Sequence, residues 1–340
     1  MLKINMFSSA DKVKGQGVGS AYLELIKMLD TYHKDAFDVA INSYTKADIS
    51  HYHTVDPFFY VSTFFKKRRG TTIGYVHFLP ETLEGSLNLF KPFQRIFNWY
   101  LLSFYRRMDQ LVVVNPTFIP KLEAIGVPKE RIAFIPNFVS KEDFYEETKE
   151  TKAIWREEAG YKKEDLVIMG AGQIQKRKGV DDFIQLAKDN PDVQFIWAGG
   201  FSFGKMTDGY DEYQAVYENP PKNLKFTGIV ERKDIMKYLN VADVFFLPSY
   251  NELFPMCILE AFNCGTPVML RDLELYHSII KDQYISTVDI VGMQEQIDRI
   301  QSHPEILEEY REKSLASAKV YSEERTAEIW LDYYTKSVNK

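Results

Sequence analysis

Eleven short runs of β-branched and aromatic residues, separated by helix-length segments, recur along the whole chain, and no other feature limits its fold as much. Six fall in the first half: KINMF (3–7), DVAINSY (38–44), ISHYH (49–53), TIGYVHF (72–78), LVVVN (111–115) and RIAFIPN (131–137). Five follow: LVIMGAG (166–172), VQFIWAGG (193–200), LKFTGI (224–229), DVFFLPS (243–249) and TPVMLR (266–271). Strands alternating with helices imply parallel sheets crossed by helices, because a parallel pair needs a long return. With 340 residues, two α/β domains of ordinary size are expected, each a doubly wound Rossmann-like unit. The charged stretch 140–163 sets the boundary near residue 145, giving domains 1–145 and 146–319. The segment 322–338 carries Ala327, Ile329, Trp330, Tyr333 and Tyr334 at helical spacing, so residues 320–340 are expected to return to the first domain as an amphipathic helix.

Ligands of such sheets sit at the carboxyl ends of the strands, so two units facing each other would form a cleft. Three segments at strand ends carry chemistry. The first is Gly15-Gln16-Gly17-Val18-Gly19-Ser20, ahead of a helical stretch. Backbone N–H groups at Gly15 and Gly17 suit a phosphate at the positive helix end. A dinucleotide fingerprint would need glycine where Ser20 stands, and a flexible turn explains the same residues. The second is GAGQIQKRKG, in which Lys176, Arg177 and Lys178 follow a strand; such cations would neutralise a diphosphate, or form a solvated turn. The third is NELFPMCILEAFNCG, from Asn251 to Gly265. Pro255 suits the first turn of a helix and Gly265 its C-terminal cap. Glu252 then precedes the helix and Glu260 lies inside it, roughly 7 Å along its axis at 1.5 Å per residue. That is about the span from a diphosphate to its ribose. The N–H groups around Met256 and Cys257 would hold the diphosphate, Glu260 the ribose diol, and Glu252 the transferred sugar.

Cys257 and Cys264 are the only cysteines, and at this spacing in one helix they cannot bridge. With six scattered histidines and no Cys/His cluster, no metal site and no cofactor are expected. His51 and His53 read as ordinary histidines at a strand end. The opening residues MLKINMFSSADK lack a sustained apolar stretch, so export is not expected, and the uncharged run 96–105 is far shorter than the ~18 residues of a membrane span. A cytoplasmic location follows. The net charge of −6 divides into +2 for residues 1–150 and −8 for the rest. Between Phe58 and Arg107 stand eight basic residues against two acidic ones, with fourteen Phe, Tyr and Trp. That mixture suits an anionic membrane surface. Nucleic acid would satisfy the same chemistry, and burial of the rings in the core would satisfy the aromatics alone.

GAGQIQKRKG, FTGIV and ADVFFLPSYNELFPMCILEAFNCGTPV, in that order, together with VVVNPTFIPKLEAIGVPKERIAFIPNFV, resemble the retaining GT-B glycosyltransferases of family 4. The resemblance covers most of the chain. It implies a nucleotide-sugar donor, UDP-galactose or UDP-glucose, and a metal-free displacement with front-face attack. It makes Glu252 and Glu260 the two donor-binding glutamates, and places Phe254, Met256, Cys257, Arg177 and Lys178 around the donor. The family's usual arginine is Gln173 here, with Arg177 as the expected substitute, and its usual glycine is Pro255. His77, in YVHFLPE, matches the active-site histidine beside the transferred sugar; without the resemblance it would be a strand-end histidine. MFSSADKVKGQGVGSAYLEL, HYHTVDPFFY and YVHFLPETLEGS further resemble Gram-positive glycolipid synthases that extend monoglucosyl-diacylglycerol. This implies a lipid-linked acceptor, peripheral docking of residues 58–107 on the inner face of the membrane, and no nucleic-acid partner.

Overall fold

The computed structural model describes residues 1–10, 17–80, 91–202, 204, 207 and 209–338. Among these, the residues up to Phe138 together with 322–338 form one compact unit, and those within Val139–Tyr321 form another. The division thus falls between Phe138 and Val139, and the C-terminal segment belongs to the first unit.

The first unit is built on strands β1 (Leu2–Phe7), β2 (Phe37–Ile41), β3 (Ile49–Tyr52), β4 (Thr71–Val76), β5 (Gln110–Val113) and β6 (Ile132–Phe134). They lie in the order β2-β1-β3-β4-β5-β6, and every neighbouring pair is parallel. Buried apolar residues fill the central strands, including Ile4, Ile49, Ile73 and Leu111, as expected of a sheet covered on both faces. The helix Glu323–Ser337 starts at Ser322, whose side chain accepts from the Arg325 N–H, and buries Ala327, Trp330 and Tyr334. Four bonds tie it to the sheet unit: His33 Nε2 to the Ala327 carbonyl at 2.8 Å, the Tyr334 hydroxyl to His51 Nδ1 at 2.8 Å, Thr71 Oγ1 to the Ser337 carbonyl at 3.0 Å, and Ser337 Oγ to Gln110 Oε1 at 2.8 Å.

The second unit holds β7 (Val167–Ala171), β8 (Gln194–Ala198), β9 (Leu224–Gly228), β10 (Val244–Leu247), β11 (Val268–Arg271) and β12 (Ile285–Thr287). Their order is β12-β11-β10-β7-β8-β9, all parallel. Counted from β7, this is the Rossmann order 3-2-1-4-5-6, whose ligand crevice opens where the order reverses, between β7 and β10. Phe183, Phe195, Trp197 and Phe246 interlock beneath it, ring to ring at 5.0 to 5.9 Å. Gly170 admits this cluster, since a Cβ there would lie 2.6 Å from the Trp197 ring. Strand β12 has only three residues, Ile-Ser-Thr, too few to show an alternating pattern, and the sequence reading lacks it.

Candidate active site

The reversal point of the second sheet is assembled from two loops. After β7 the chain turns at Gly172 (φ +139°), forms a single tight turn over Lys176–Lys178, and enters the helix Val180–Asp189 through Gly179 (φ +67°). Only glycine fits at 179: besides the left-handed backbone, a Cβ would sit 2.2 Å from the Pro248 carbonyl oxygen in the loop after β10. The loops are joined further by Tyr250 N–H donating to the Arg177 carbonyl (2.9 Å) and by Arg177 Nη1 donating to the Asn251 carbonyl (2.6 Å).

This stitching delivers both cations to one carboxylate. Lys178 Nζ donates to Glu252 Oε1 at 2.5 Å, and Arg177 Nη1 stands 3.4 Å from Oε2. Lys178 and Glu252 are both buried. Burial raises the Glu252 carboxyl, but Lys178 and then Arg177 outweigh it and hold its pKa below the usual range. Lys176 is exposed, and Gln173 is half-buried. The run of three cations therefore resolves into two site residues and one solvated one.

The helix Met256–Asn263 begins after Pro255 and closes at Gly265 (φ +66°), so its first N–H groups, at Met256 and Cys257, are free of helical partners. Glu260 is buried one turn on, and burial raises its carboxyl while Arg232, 3.7 Å away, lowers it. Arg232, from the helix after β9, also lies over the Phe144 ring at 4.9 Å. Nothing in the sequence marks it, because its partners are 28 and 88 positions away. Burial pushes the Cys257 thiol up to about 12; Cys257 and Cys264 are both free. Phe254 is buried with its ring 5.0 Å from that of Tyr321, so its side chain serves the core of the unit.

In the first unit, His77 follows β4 and its Nε2 lies 3.3 Å from His53 Nδ1. The Tyr75 ring stacks on it at 4.2 Å, and burial lowers its pKa to about 3. Gly15 lies outside the described residues. Gly17 opens the helix Gly17–Tyr32, and a Cβ there would meet nothing within 4 Å. Within that helix the tight position is Gly19, where a Cβ would be 2.9 Å from the Ala10 carbonyl oxygen.

The aromatic island splits in two. Phe59, Phe104 and Tyr105 are core, and Arg69 is buried, donating to the carbonyls of Ser43, Tyr44 and Thr45. The helix Pro57–Ser62 is fastened to Lys91–Arg107 through the Tyr60 and Ser103 hydroxyls (2.8 Å) and the Tyr60 and Tyr100 rings (5.3 Å). Phe58, Val61, Phe64, Phe65, Phe93, Ile96 and Trp99 stay exposed, Phe58 by 80% and Trp99 by 66%. Lys66, Lys67, Arg68 and Arg95 are exposed among them. Among the described residues no helix is long and apolar enough to cross a membrane, and no group of three His, Cys, Asp or Glu is placed to hold a metal ion.

Two parallel α/β units, one in Rossmann order with cations and buried carboxylates at its switch point, make up the architecture of the GT-B fold. The fold agrees with that of Anabaena HepE, solved with UDP and glucose, at a TM-score of 0.78, 14% identity and coverage of 99% of this chain and 100% of that one. Residues 151–316 match the family model described as glycosyl transferases group 1, and residues 22–143 match glycosyltransferase family 4. The chain is 50% identical over 335 residues, 98% of its length and 90% of the relative's, to the alpha-galactosylglucosyldiacylglycerol synthase of Streptococcus pneumoniae. It is 26% identical, over 81% of its length and 80% of the relative's, to the processive diacylglycerol alpha-glucosyltransferase of Acholeplasma laidlawii. The chain belongs to the family 4 glycosyltransferases.

Proposed function

We propose that this protein transfers galactose or glucose from the UDP-sugar to a membrane glycolipid, glucosyl-diacylglycerol, with retention at the anomeric carbon and without a metal ion. The observation that carries the donor half is the convergence of Arg177 and Lys178 on Glu252 at the switch point. Two buried-edge cations held by an internal carboxylate mark where a diphosphate would place its charge. The names of the relatives support the acceptor class.

In this reading the Met256 and Cys257 N–H groups and the two cations receive the diphosphate, and Glu260 accepts from the ribose diol. Glu252, its cations now shared with phosphate, accepts from the hydroxyls of the transferred sugar, and the family resemblance assigns His77 to that sugar as well. The acceptor hydroxyl oxygen bonds to the anomeric carbon on the face the diphosphate leaves. The electron pair of the broken C–O bond departs with UDP, and the hydroxyl proton passes to the departing phosphate oxygen. Lys178 and Arg177 stabilise the charge that develops there. The exposed Phe58, Phe65, Phe93, Ile96 and Trp99, with Lys67, Arg68 and Arg95, dock the protein on the anionic inner face of the membrane, so that the acceptor's acyl chains stay in the bilayer.

The test is turnover of UDP-glucose and UDP-galactose on diacylglycerol and on glucosyl-diacylglycerol in anionic vesicles, with EDTA or with Mg²⁺. Product is read by mass and its anomeric configuration by NMR. An α-linked hexose added to glucosyl-diacylglycerol in EDTA supports the whole reading. Transfer to diacylglycerol instead moves the acceptor one step earlier; a β product, or dependence on Mg²⁺, overturns the mechanism.

A further inference from the structure

Strands β3 and β4 pair with His51 opposite Ile73 and Tyr52 opposite Gly74, and the same register carried on sets His53 beside Tyr75. Alternation along each strand then puts His51, His53, Tyr75 and His77 on one face, the face covered by Trp330 and Tyr334. The rings form a ladder. Tyr75 stacks on His77 at 4.2 Å and 10°, and on His53 at 5.0 Å and 25°; His51 lies 4.2 Å from His53 and 5.6 Å from Tyr75. His51 Nδ1 meets the Tyr334 hydroxyl, and His53 Nδ1 meets His77 Nε2. The Nε2 atoms of His51 and His53 are buried with no hydrogen-bond partner.

Burial holds all three imidazoles well below their usual pKa, so each ring carries a single proton at neutral pH. One proton lies between His53 Nδ1 and His77 Nε2, and its owner decides what His77 offers to a ligand. Were His77 to own it, His53 would carry its proton on Nε2, a buried N–H with nothing to receive it. With His53 as owner, that Nε2 is a bare lone pair. Orphaned buried N–H groups are the rarer and costlier case.

We infer that His53 is a positioning residue: its Nδ1–H donates to His77 Nε2, forces the His77 proton onto Nδ1, and so makes His77 a hydrogen-bond donor to the transferred sugar. The inference rests on the assignment of His77 to the sugar, and reaches one residue behind it. Tyr75, stacked on both rings, keeps the two imidazoles in the orientation that the bond requires.

Long-range ¹H–¹⁵N spectra of the full-length protein with UDP bound read the tautomer directly, with His77→Asn identifying the His77 signal. The Nδ1–H pattern is expected in the wild type and in His53→Asn, whose amide N–H stands in for Nδ1–H; His53→Phe loses it. With His53→Phe, kcat for hexosyl transfer falls about tenfold, the loss of one neutral hydrogen bond in the transition state, while UDP affinity is unchanged and His53→Asn restores the rate. An Nε2–H tautomer in the wild type overturns the inference without touching the function. So does full turnover by His53→Phe where His77→Ala is inactive. Full turnover by His77→Ala removes the sugar assignment itself and the inference with it.

Discussion

Lys178→Met tests the charge design of the proposed donor site most directly. Methionine keeps most of the stem that lies against Gly172, 3.2 Å from where a Cβ would be, and removes the ammonium that bonds Glu252. Breaking a buried ion pair from one side costs about 3–5 kcal/mol. Arg177, 3.4 Å from the other carboxylate oxygen, retains part of the compensation, so about 2 kcal/mol is expected, or a fall in Tm of about 4–8 °C for a unit of this size. The loss depends on pH. In the wild type the folded Glu252 pKa lies below its unfolded value, because Lys178 and Arg177 outweigh burial. Its contribution is therefore fully present above the unfolded value of about 4.3 and is lost as pH falls through the folded value. In the variant burial meets less opposition and the folded pKa rises. The gap in stability between the two proteins should be widest near pH 7 and close toward pH 4 in melts followed by circular dichroism. The same substitution should weaken UDP binding by about 10- to 100-fold by calorimetry, the worth of a charge-assisted bond to phosphate. The companion Glu252→Gln frees both cations and should tighten UDP alone while sugar transfer collapses. A stability gap that is flat with pH, or a Lys178→Met protein that binds UDP normally, would refute the reasoning.

Glu260→Gln should raise thermal stability near neutral pH, because burial lifts that carboxyl above its unfolded value despite Arg232; the neutral carboxyl's contribution is present at low pH and is lost as pH rises through the folded value, so the gain from glutamine shrinks on acidification. UDP affinity should nonetheless fall about tenfold as the ribose loses a charged acceptor. Gly179→Ala, with a left-handed backbone and a Cβ 2.2 Å from the Pro248 carbonyl oxygen, should cost at least about 2 kcal/mol in urea unfolding, since the left-handed conformation alone costs about 1–2. The triple variant Phe58→Ser, Phe93→Ser, Trp99→Ser should lose sedimentation with anionic vesicles at 0.1 M and 0.5 M salt alike. Lys67→Glu with Arg68→Glu should lose it by about 1 kcal/mol per removed charge at low salt only.

The strands were legible because a parallel sheet covered on both faces demands unbroken apolar runs, such as VVV at 112–114 and VFFL at 244–247, and these survive any change of neighbours. The helix from Met256 was legible at both ends, since Pro255 and Gly265 act on their own backbone. Strand β12 escaped because its three residues owe their place to pairing with β11. The aromatic island could not be divided from sequence either: Phe58 and Phe59 are adjacent, one exposed and one buried, and what separates them is the packing of Tyr60 against Tyr100 and Phe104.

The linear order of residues by itself determined two α/β units, the positions of their strands, and the strand-end loops that bear the glutamates and the cations, all consequences of local backbone preference and hydrophobic period. Tertiary structure alone decided that β7 and β10 lie side by side, that Glu252 therefore receives both Lys178 and Arg177 from 74 and 75 residues away, that Arg232 reaches Glu260, and that His53 stands behind His77. Those pairings are set by strand order and register, which emerge only when distant segments compete for the same buried edge, and no local signal records the outcome of that competition.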